Sequence, residues 1–170
     1  LGAHIILTLG HKKGSVMGGT QGILYLQSSS KKPKEIPRFK DQLITAVAFN
    51  WDNKSETSTG QILLGTNKGQ IYETEIGVDG EKMNSSSSSK PIFIIDRGDK
   101  SCITGIQMFR APGTNNFIIL VAILDRLYTF HEKVRPFGET KISIAQQIFS
   151  QYLNVPEHTL FSFETISTGT

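Results

Sequence analysis

The chain has 170 residues, of which 38% are apolar and 19% are charged, and its formal net charge is +3. These values are ordinary for a globular domain, and no apolar run approaches the roughly 20 residues that a membrane-spanning helix requires. The single cysteine, Cys102, excludes a disulfide within the chain and suits a cytosolic compartment.

Short apolar strands recur along the chain at a near-fixed spacing. Residues 5–9, 62–66 and 119–123 read IILTL, ILLGT and ILVAI, and each run starts 57 residues after the previous one. A partner strand with tyrosine at its fourth position follows each run, as GILYL, GQIYE and DRLYT. A further element, ITAVAF at residues 44–49, returns 59 residues later as ITGIQM. A repeated unit built from short strands predicts a β-propeller.

The predicted fold is therefore all-β, a partial WD40-like propeller of about three blades, each an antiparallel four-stranded sheet. We expect residues 1–170 to be a fragment of one N-terminal propeller domain, with blade parts at about 1–40, 41–98 and 99–155 and the start of a further strand within 157–170. The outer strands are predicted at 34–38 and 91–96. One short helix is predicted near the C-terminus, with Pro156 ending it, from five apolar residues at helical spacing: Ala145, Ile148, Phe149, Tyr152 and Leu153.

Basic residues concentrate at the start of the chain. Residues 1–40 hold seven lysines and arginines against one acidic residue, whereas residues 41–170 hold eleven basic and fourteen acidic residues. The basic side chains indicate either a surface that docks on an acidic protein or membrane, or ordinary solvated loops. The candidate docking residues are Lys12, Lys13, Lys31, Lys32, Lys34, Arg38 and Lys40.

No catalytic, cofactor-binding or metal site is predicted, because the four histidines are scattered and none stands at metal-ligand spacing from another histidine or from Cys102. Glu73 and Glu75 lie two residues apart and so share a strand face, which admits an acid–base pair or ordinary surface carboxylates. The repeated tyrosines admit a ligand-stacking ring or, as we favour, packing between blades with the hydroxyl on a polar partner.

Several of these segments resemble the N-terminal propeller of the deep orange (Pep-three) class of vacuolar protein sorting subunits. The resemblance runs from about Ile5 to Leu153, and its most specific part is ILLGTNKGQIYE at residues 62–73. The other matching segments are GILYL at 22–26, SSKKPK at 29–34, ITAVAFN at 44–50, ITG at 103–105 and RLYTF at 126–130.

The resemblance implies a non-catalytic scaffold that belongs to the shared core of the HOPS and CORVET tethering complexes and acts in endosome-to-lysosome transport and fusion. It implies contacts with other tethering subunits, indirect contacts with Rab GTPases and SNAREs, and peripheral association of a cytoplasmic protein with late endosomal, lysosomal or vacuolar membrane. No nucleic acid or small-molecule substrate is expected. The alternatives are a generic WD40-like scaffold and, less favoured, a propeller enzyme whose site lies in blades outside this chain.

Overall fold

The structure is a computed structural model that describes residues 5–11, 21–27, 34–39, 42–50, 55, 57–77, 80–81, 90–132 and 143–160. Within these ranges, eleven strands form three antiparallel sheets that follow one another along the chain, and one α-helix lies near the end. The all-β prediction is confirmed, and the sheets form a partial, unclosed propeller. No helix in the described ranges is long and apolar enough to cross a membrane.

Each sheet is one blade, and its strands pair in chain order except that β8 pairs with β6. The first blade contains β1 (Ile5–His11), β2 (Gln21–Gln27) and β3 (Lys34–Glu35). The second contains β4 (Ile44–Phe49), β5 (Ser58–Thr66), β6 (Gln70–Gly77), β7 (Gly80–Glu81) and β8 (Phe93–Ile94). The third contains β9 (Ile103–Arg110), β10 (Phe117–Ile123) and β11 (Leu127–His131). The helix is α1 (Ile144–Ser150), and single 3-10 turns lie at Pro37–Phe39, Gly98–Lys100 and Glu157–Thr159.

The two predicted outer strands are shorter in the structure than in the sequence interpretation. In the first blade the strand ends at Glu35, and Pro37 begins a 3-10 turn. In the second blade, β8 pairs with one end of β6 and β7 pairs with the other end, so two short strands share the fourth position.

The strand repeat is confirmed at the level of residue pairing. In each blade the repeated tyrosine pairs with the third residue of the apolar run that precedes it. The pairs are Leu7 with Tyr25, Leu64 with Tyr72 and Val121 with Tyr128. The irregularity in pairing also recurs, because the ladder skips Thr45 in the second blade and Thr104 in the third. The three sheets are therefore copies of one unit.

Burial separates the middle blade from the third one. In β5, residues Ile62, Leu63 and Leu64 are all fully buried, because Ile62 and Leu64 pack with Ile36 of the first blade while Leu63 packs with the third. In β10, buried residues instead alternate with half-buried ones. A strand that is covered on both faces usually has a continuous apolar sequence. The sequence of β10 is also continuously apolar, although the described residues cover only one of its faces.

The predicted helix is confirmed, but it ends at Ser150, well before Pro156. Ser143 caps its start by accepting the Gln146 N–H at 3.1 Å. Beyond Ser150 the Tyr152 N–H bonds to the carbonyl of Phe149, which tightens the chain into successive turns. Tyr152 remains buried as predicted, whereas Leu153 is 62% exposed.

The strand predicted from Glu157 onward does not begin there, because Glu157–Thr159 form a 3-10 turn whose glutamate is held by the neighbouring blade. The remainder of that prediction, residues 161–170, lies outside the described residues.

Candidate interaction surface

Arg38 is the one predicted docking residue whose side chain the structure describes. Its Nη2 donates to the Glu73 carbonyl at 3.1 Å, and its guanidinium lies 4.4 Å from the centre of the Phe39 ring. Arg38 thus ties the first blade to β6 of the second. For Lys34 only the backbone is described, in β3, and Lys12, Lys13, Lys31, Lys32 and Lys40 fall outside the described residues, so docking by these lysines stays a prediction.

A groove of about 350 Å³ lies beside the outer strand of the second blade. Residues 91–96, which include β8, form one wall, and the chain after α1 forms the other through Tyr152, Leu153, Val155, Glu157 and Leu160. No pattern in the sequence indicates this groove, because its two walls are separated by more than fifty residues and neither carries a motif.

Aromatic packing holds both walls of the groove in place. Phe93 of β8 stacks on Phe149 of α1 with ring centres 4.9 Å apart. On the other wall, the Tyr152 ring meets Phe130 of β11 edge to face at 5.2 Å, and its hydroxyl oxygen accepts the His131 N–H at 3.1 Å. Because Phe93, Phe130 and Phe149 are buried in one cluster, the groove is supported by the core between the second and third blades.

A charged cluster surrounds Glu157, which lines the groove. Arg97 Nη1 donates to both carboxylate oxygens of Glu157 at 3.0 Å, Arg126 contacts the same carboxylate, and the Tyr128 hydroxyl donates to Oε1 at 2.9 Å. A second carboxylate, Asp125, pairs with Lys100 at 3.1 Å and with Arg97 at 3.6 Å. The cluster joins the connection between blades, the β10–β11 turn and the last 3-10 turn.

The pKa shifts in this cluster follow from its contacts. Burial raises the pKa of Tyr128 to about 12, and the hydrogen bond and negative charge of Glu157 add to the rise. For Glu157, partial desolvation raises the pKa, but the Tyr128 hydrogen bond and the Arg126 and Arg97 charges outweigh it and hold the pKa below its usual range. The Lys100 hydrogen bond lowers the pKa of Asp125. Both carboxylates are thus held ionised beside the arginines.

The two glutamates of β6 do not form an acid–base pair. Glu73 is 6% exposed, and its Oε2 accepts from the Ser143 hydroxyl at 2.8 Å and from Gln146 Nε2 at 2.9 Å, while Glu75 accepts from the Ser58 hydroxyl. Burial raises the pKa of Glu73, against the lowering effect of these two hydrogen bonds. Glu73 is therefore not the ordinary surface carboxylate that its strand position suggests, but an internal contact with the start of α1.

The described tyrosines pack between structural elements, as favoured from the sequence. The Tyr72 ring meets Phe39 of the first blade edge to face at 5.6 Å, and its hydroxyl donates to Gln70 at 3.2 Å. The hydroxyl of Tyr128 reaches Glu157. Within the described ranges no group of three or more His, Cys, Asp or Glu side chains is placed to hold a metal ion, and Cys102 is half-buried.

Comparison with known proteins agrees with the repeated blades. The model of the Pep3/Vps18/deep orange β-propeller domain matches residues 1–168, nearly the whole chain. The chain belongs to this family. The resemblance first drawn from residues 62–73 is confirmed.

Relatives from an animal and a plant match over most of the chain. A vacuolar protein sorting-associated protein 18 homolog of Drosophila melanogaster is 35% identical over 90% of the chain, and a vacuolar sorting protein 18 of Arabidopsis thaliana is 28% identical over 89%. The chain spans 15% and 14% of the lengths of these relatives. No solved structure matches it.

Proposed function

We propose that this propeller segment is a non-catalytic scaffold in a subunit of a vacuolar sorting complex, the shared core subunit of the HOPS and CORVET tethering complexes. The match of the family model to residues 1–168 carries this proposal. The names of the relatives, which refer to vacuolar protein sorting, support the cellular process. Rigid blades suit a scaffold, since a pre-organised surface loses little entropy on binding.

The direct partners in this proposal are the other subunits of the tethering complex. Rab GTPases and SNAREs are reached indirectly through those subunits, and the protein works from the cytoplasm as a peripheral component of late endosomal, lysosomal or vacuolar membrane. Its role is to help deliver and fuse endosomal vesicles. The side chains of the charged cluster support a structural role, since they join the connection after the second blade to the third blade and to the last 3-10 turn.

Affinity purification of the full-length protein from its own cells, followed by mass spectrometry, tests the proposal. We expect the other sorting subunits to co-purify in near-stoichiometric amounts and the tagged protein to lie on late endosomal membranes. A Gly69→Ala variant, whose β-carbon would clash with the Ile95 carbonyl, provides a matched control with a damaged second blade. Purification of the folded protein without any sorting subunit would contradict the assignment.

The lysines of the first forty residues are the second part of the proposal, as a docking surface for anionic membrane. Flotation with liposomes that contain phosphatidylserine tests it. Reversing Lys12, Lys13, Lys31 and Lys32 to glutamate should weaken membrane binding, and so should added salt. The control is Lys68→Glu, which changes an exposed lysine on the β5–β6 turn. Membrane binding that is insensitive to both salt and charge reversal would refute this part.

A further inference from the structure

The groove beside β8 runs along a strand edge rather than across a sheet face. Its first wall consists of six consecutive residues, 91–96. Successive side chains of a strand point to opposite faces, so one face can present only every second residue. A groove lined by all six residues must therefore follow their backbone. Phe93 and Ile95 accordingly point into the core, while Ile94 is 54% exposed.

The polar backbone groups of Ile94, a residue that lines the groove, point away from β6. Ile94 stands opposite Gln70 of β6, and the adjacent Ile95 N–H bonds to the Gly69 carbonyl at 2.9 Å. In antiparallel pairing, the residue between two bonded neighbours directs its own N–H and C=O away from the partner strand. Among the strands that the structure describes, β8 pairs with β6 alone. The second blade thus presents a donor and an acceptor to an additional strand.

The side chains that line the groove define what it can accept. Ile94 and Leu153 are largely exposed, and Val155 is half-buried, so the walls are apolar at intervals along the edge. Among the described residues that line the groove, the charged ones are Asp96 and Glu157, both acidic. Glu157 is already paired with Arg97 and Arg126, whereas Asp96 is exposed and accepts the backbone N–H of Gly98. The occupant that fits has alternating apolar residues and a basic residue at one end.

We propose that the groove binds an extended, partly basic peptide from a partner protein, which pairs with the free edge of β8, packs its apolar side chains on Ile94 and Leu153, and places a lysine or arginine beside Asp96. Strand addition of this kind takes affinity from main-chain hydrogen bonds and specificity from alternate side chains. At about 3.3 Å per residue, a groove along six residues holds a segment of roughly 20 Å. The site goes beyond the scaffold role and does not depend on which complex contains the protein.

Fluorescence polarisation with synthetic peptides tests the site on the full-length protein. The probes are labelled octapeptides with valine or leucine at alternate positions and either lysine or glutamate at one end. We expect the lysine peptides to bind more tightly, and N-methylation of a central amide to weaken binding about tenfold or more, since it removes a main-chain donor.

Substitutions on the protein locate the binding. Ile94→Lys should weaken the lysine peptides about tenfold or more, because it removes apolar contact and opposes their charge. Asp96→Asn should erase the preference for lysine over glutamate. Leu124→Lys, which changes an equally exposed leucine on the β10–β11 turn, and Asp99→Asn are the controls and should change neither value. Circular dichroism confirms that each variant is folded.

Several results would overturn the proposal. Equal binding of N-methylated peptides would exclude strand addition, and failure of all octapeptides to bind the folded protein would exclude a peptide site. Binding that appears only after residues 161–170 are deleted would assign the groove to the chain itself. Dimerisation that Ile94→Lys abolishes would assign it to a second copy. Co-purification of sorting subunits is measured separately, so the proposed function can hold or fail independently.

Discussion

A methyl group added at Gly65 should weaken the packing between the second and third blades. Gly65 lies in β5, where a β-carbon would stand 2.6 Å from Cγ2 of Ile103 and 3.0 Å from Cδ1 of Ile106. Carbon atoms in contact normally lie about 3.5–4.0 Å apart, so the methyl would overlap Ile103 by about 1 Å. Ile103 is fully buried and cannot move aside into solvent.

The expected cost of Gly65→Ala follows from two opposing effects. Overpacking a close-packed core costs about 1–3 kcal/mol, while replacing a strand glycine returns up to about 1 kcal/mol of chain entropy. We therefore expect a net loss of about 1–2 kcal/mol in the free energy of unfolding. Urea unfolding followed by far-ultraviolet circular dichroism measures this loss as a lower midpoint at unchanged slope.

The third blade supplies the matched control. Each of the two blades has an alanine paired with a glycine at this position, but the two residues exchange strands. Ala46 pairs with Gly65 in the second blade, and Gly105 pairs with Ala122 in the third. Among the described residues, a β-carbon on Gly105 would meet Ala122 alone, at 3.8 Å, which is ordinary contact. Gly105→Ala should thus be neutral or stabilise by up to about 1 kcal/mol.

A double variant tests whether Ile103 is the cause. Ile103→Ala alone should cost about 2–5 kcal/mol, and Gly65→Ala combined with it should cost less than the sum of the two. The reasoning is refuted if Gly65→Ala leaves the unfolding midpoint unchanged, if Gly105→Ala destabilises equally, or if the two substitutions are additive.

Three further predictions concern individual contacts. Gly69→Ala should cost more than about 3 kcal/mol in thermal or urea unfolding, because φ is +75° and the new β-carbon would lie 2.0 Å from the Ile95 carbonyl oxygen. The control is Gly113→Ala, which should cost only about 1–2 kcal/mol, because φ is also positive, at +72°, but no described atom lies within reach of the new β-carbon. Because burial raises the pKa of Glu73 above its ordinary 4.5, the folded state holds a proton that the unfolded state releases, so stability should fall as pH rises from about 4.5 through the raised pKa. Glu73→Gln should remove this pH dependence from urea midpoints measured across pH. An unchanged pH dependence would assign the effect to another group. Tyr128→Phe should lower the free energy of unfolding by about 0.5–1.5 kcal/mol and raise the Glu157 pKa measured by NMR titration, because it removes the hydrogen bond to that carboxylate. An unaltered Glu157 titration would show that the hydroxyl has no part in holding the carboxylate ionised.

The strands and their repetition were predictable because they depend on local sequence. Apolar runs 57 residues apart, each followed by a turn and a tyrosine strand, recover the pairs β1–β2, β5–β6 and β10–β11. The helix was predictable in position from its apolar spacing but not in length. Its early end involves Tyr152, whose hydroxyl contacts the backbone of His131, and no spacing in the sequence reports that contact.

The contacts of charged side chains were not predictable, because they join residues that are distant in the chain. Glu73 has the sequence context of a surface strand, yet Ser143 and Gln146 arrive from seventy residues away and enclose its carboxylate. Arg38 belongs by sequence to a solvated basic stretch, but packing of the first blade on the second turns it toward a main-chain carbonyl. In both cases, charge in the sequence did not indicate burial.

The sequence by itself determined the all-β class, the repeating unit and the family, since hydrophobic period, turn residues and the ILLGTNKGQIYE segment are properties of neighbouring residues. Only the tertiary structure decided which strand faces are covered, where the charged side chains find partners and that β8 borders a groove. Those features arise when blades stack on one another, and the stacking brings together residues whose separation along the chain carries no local signal.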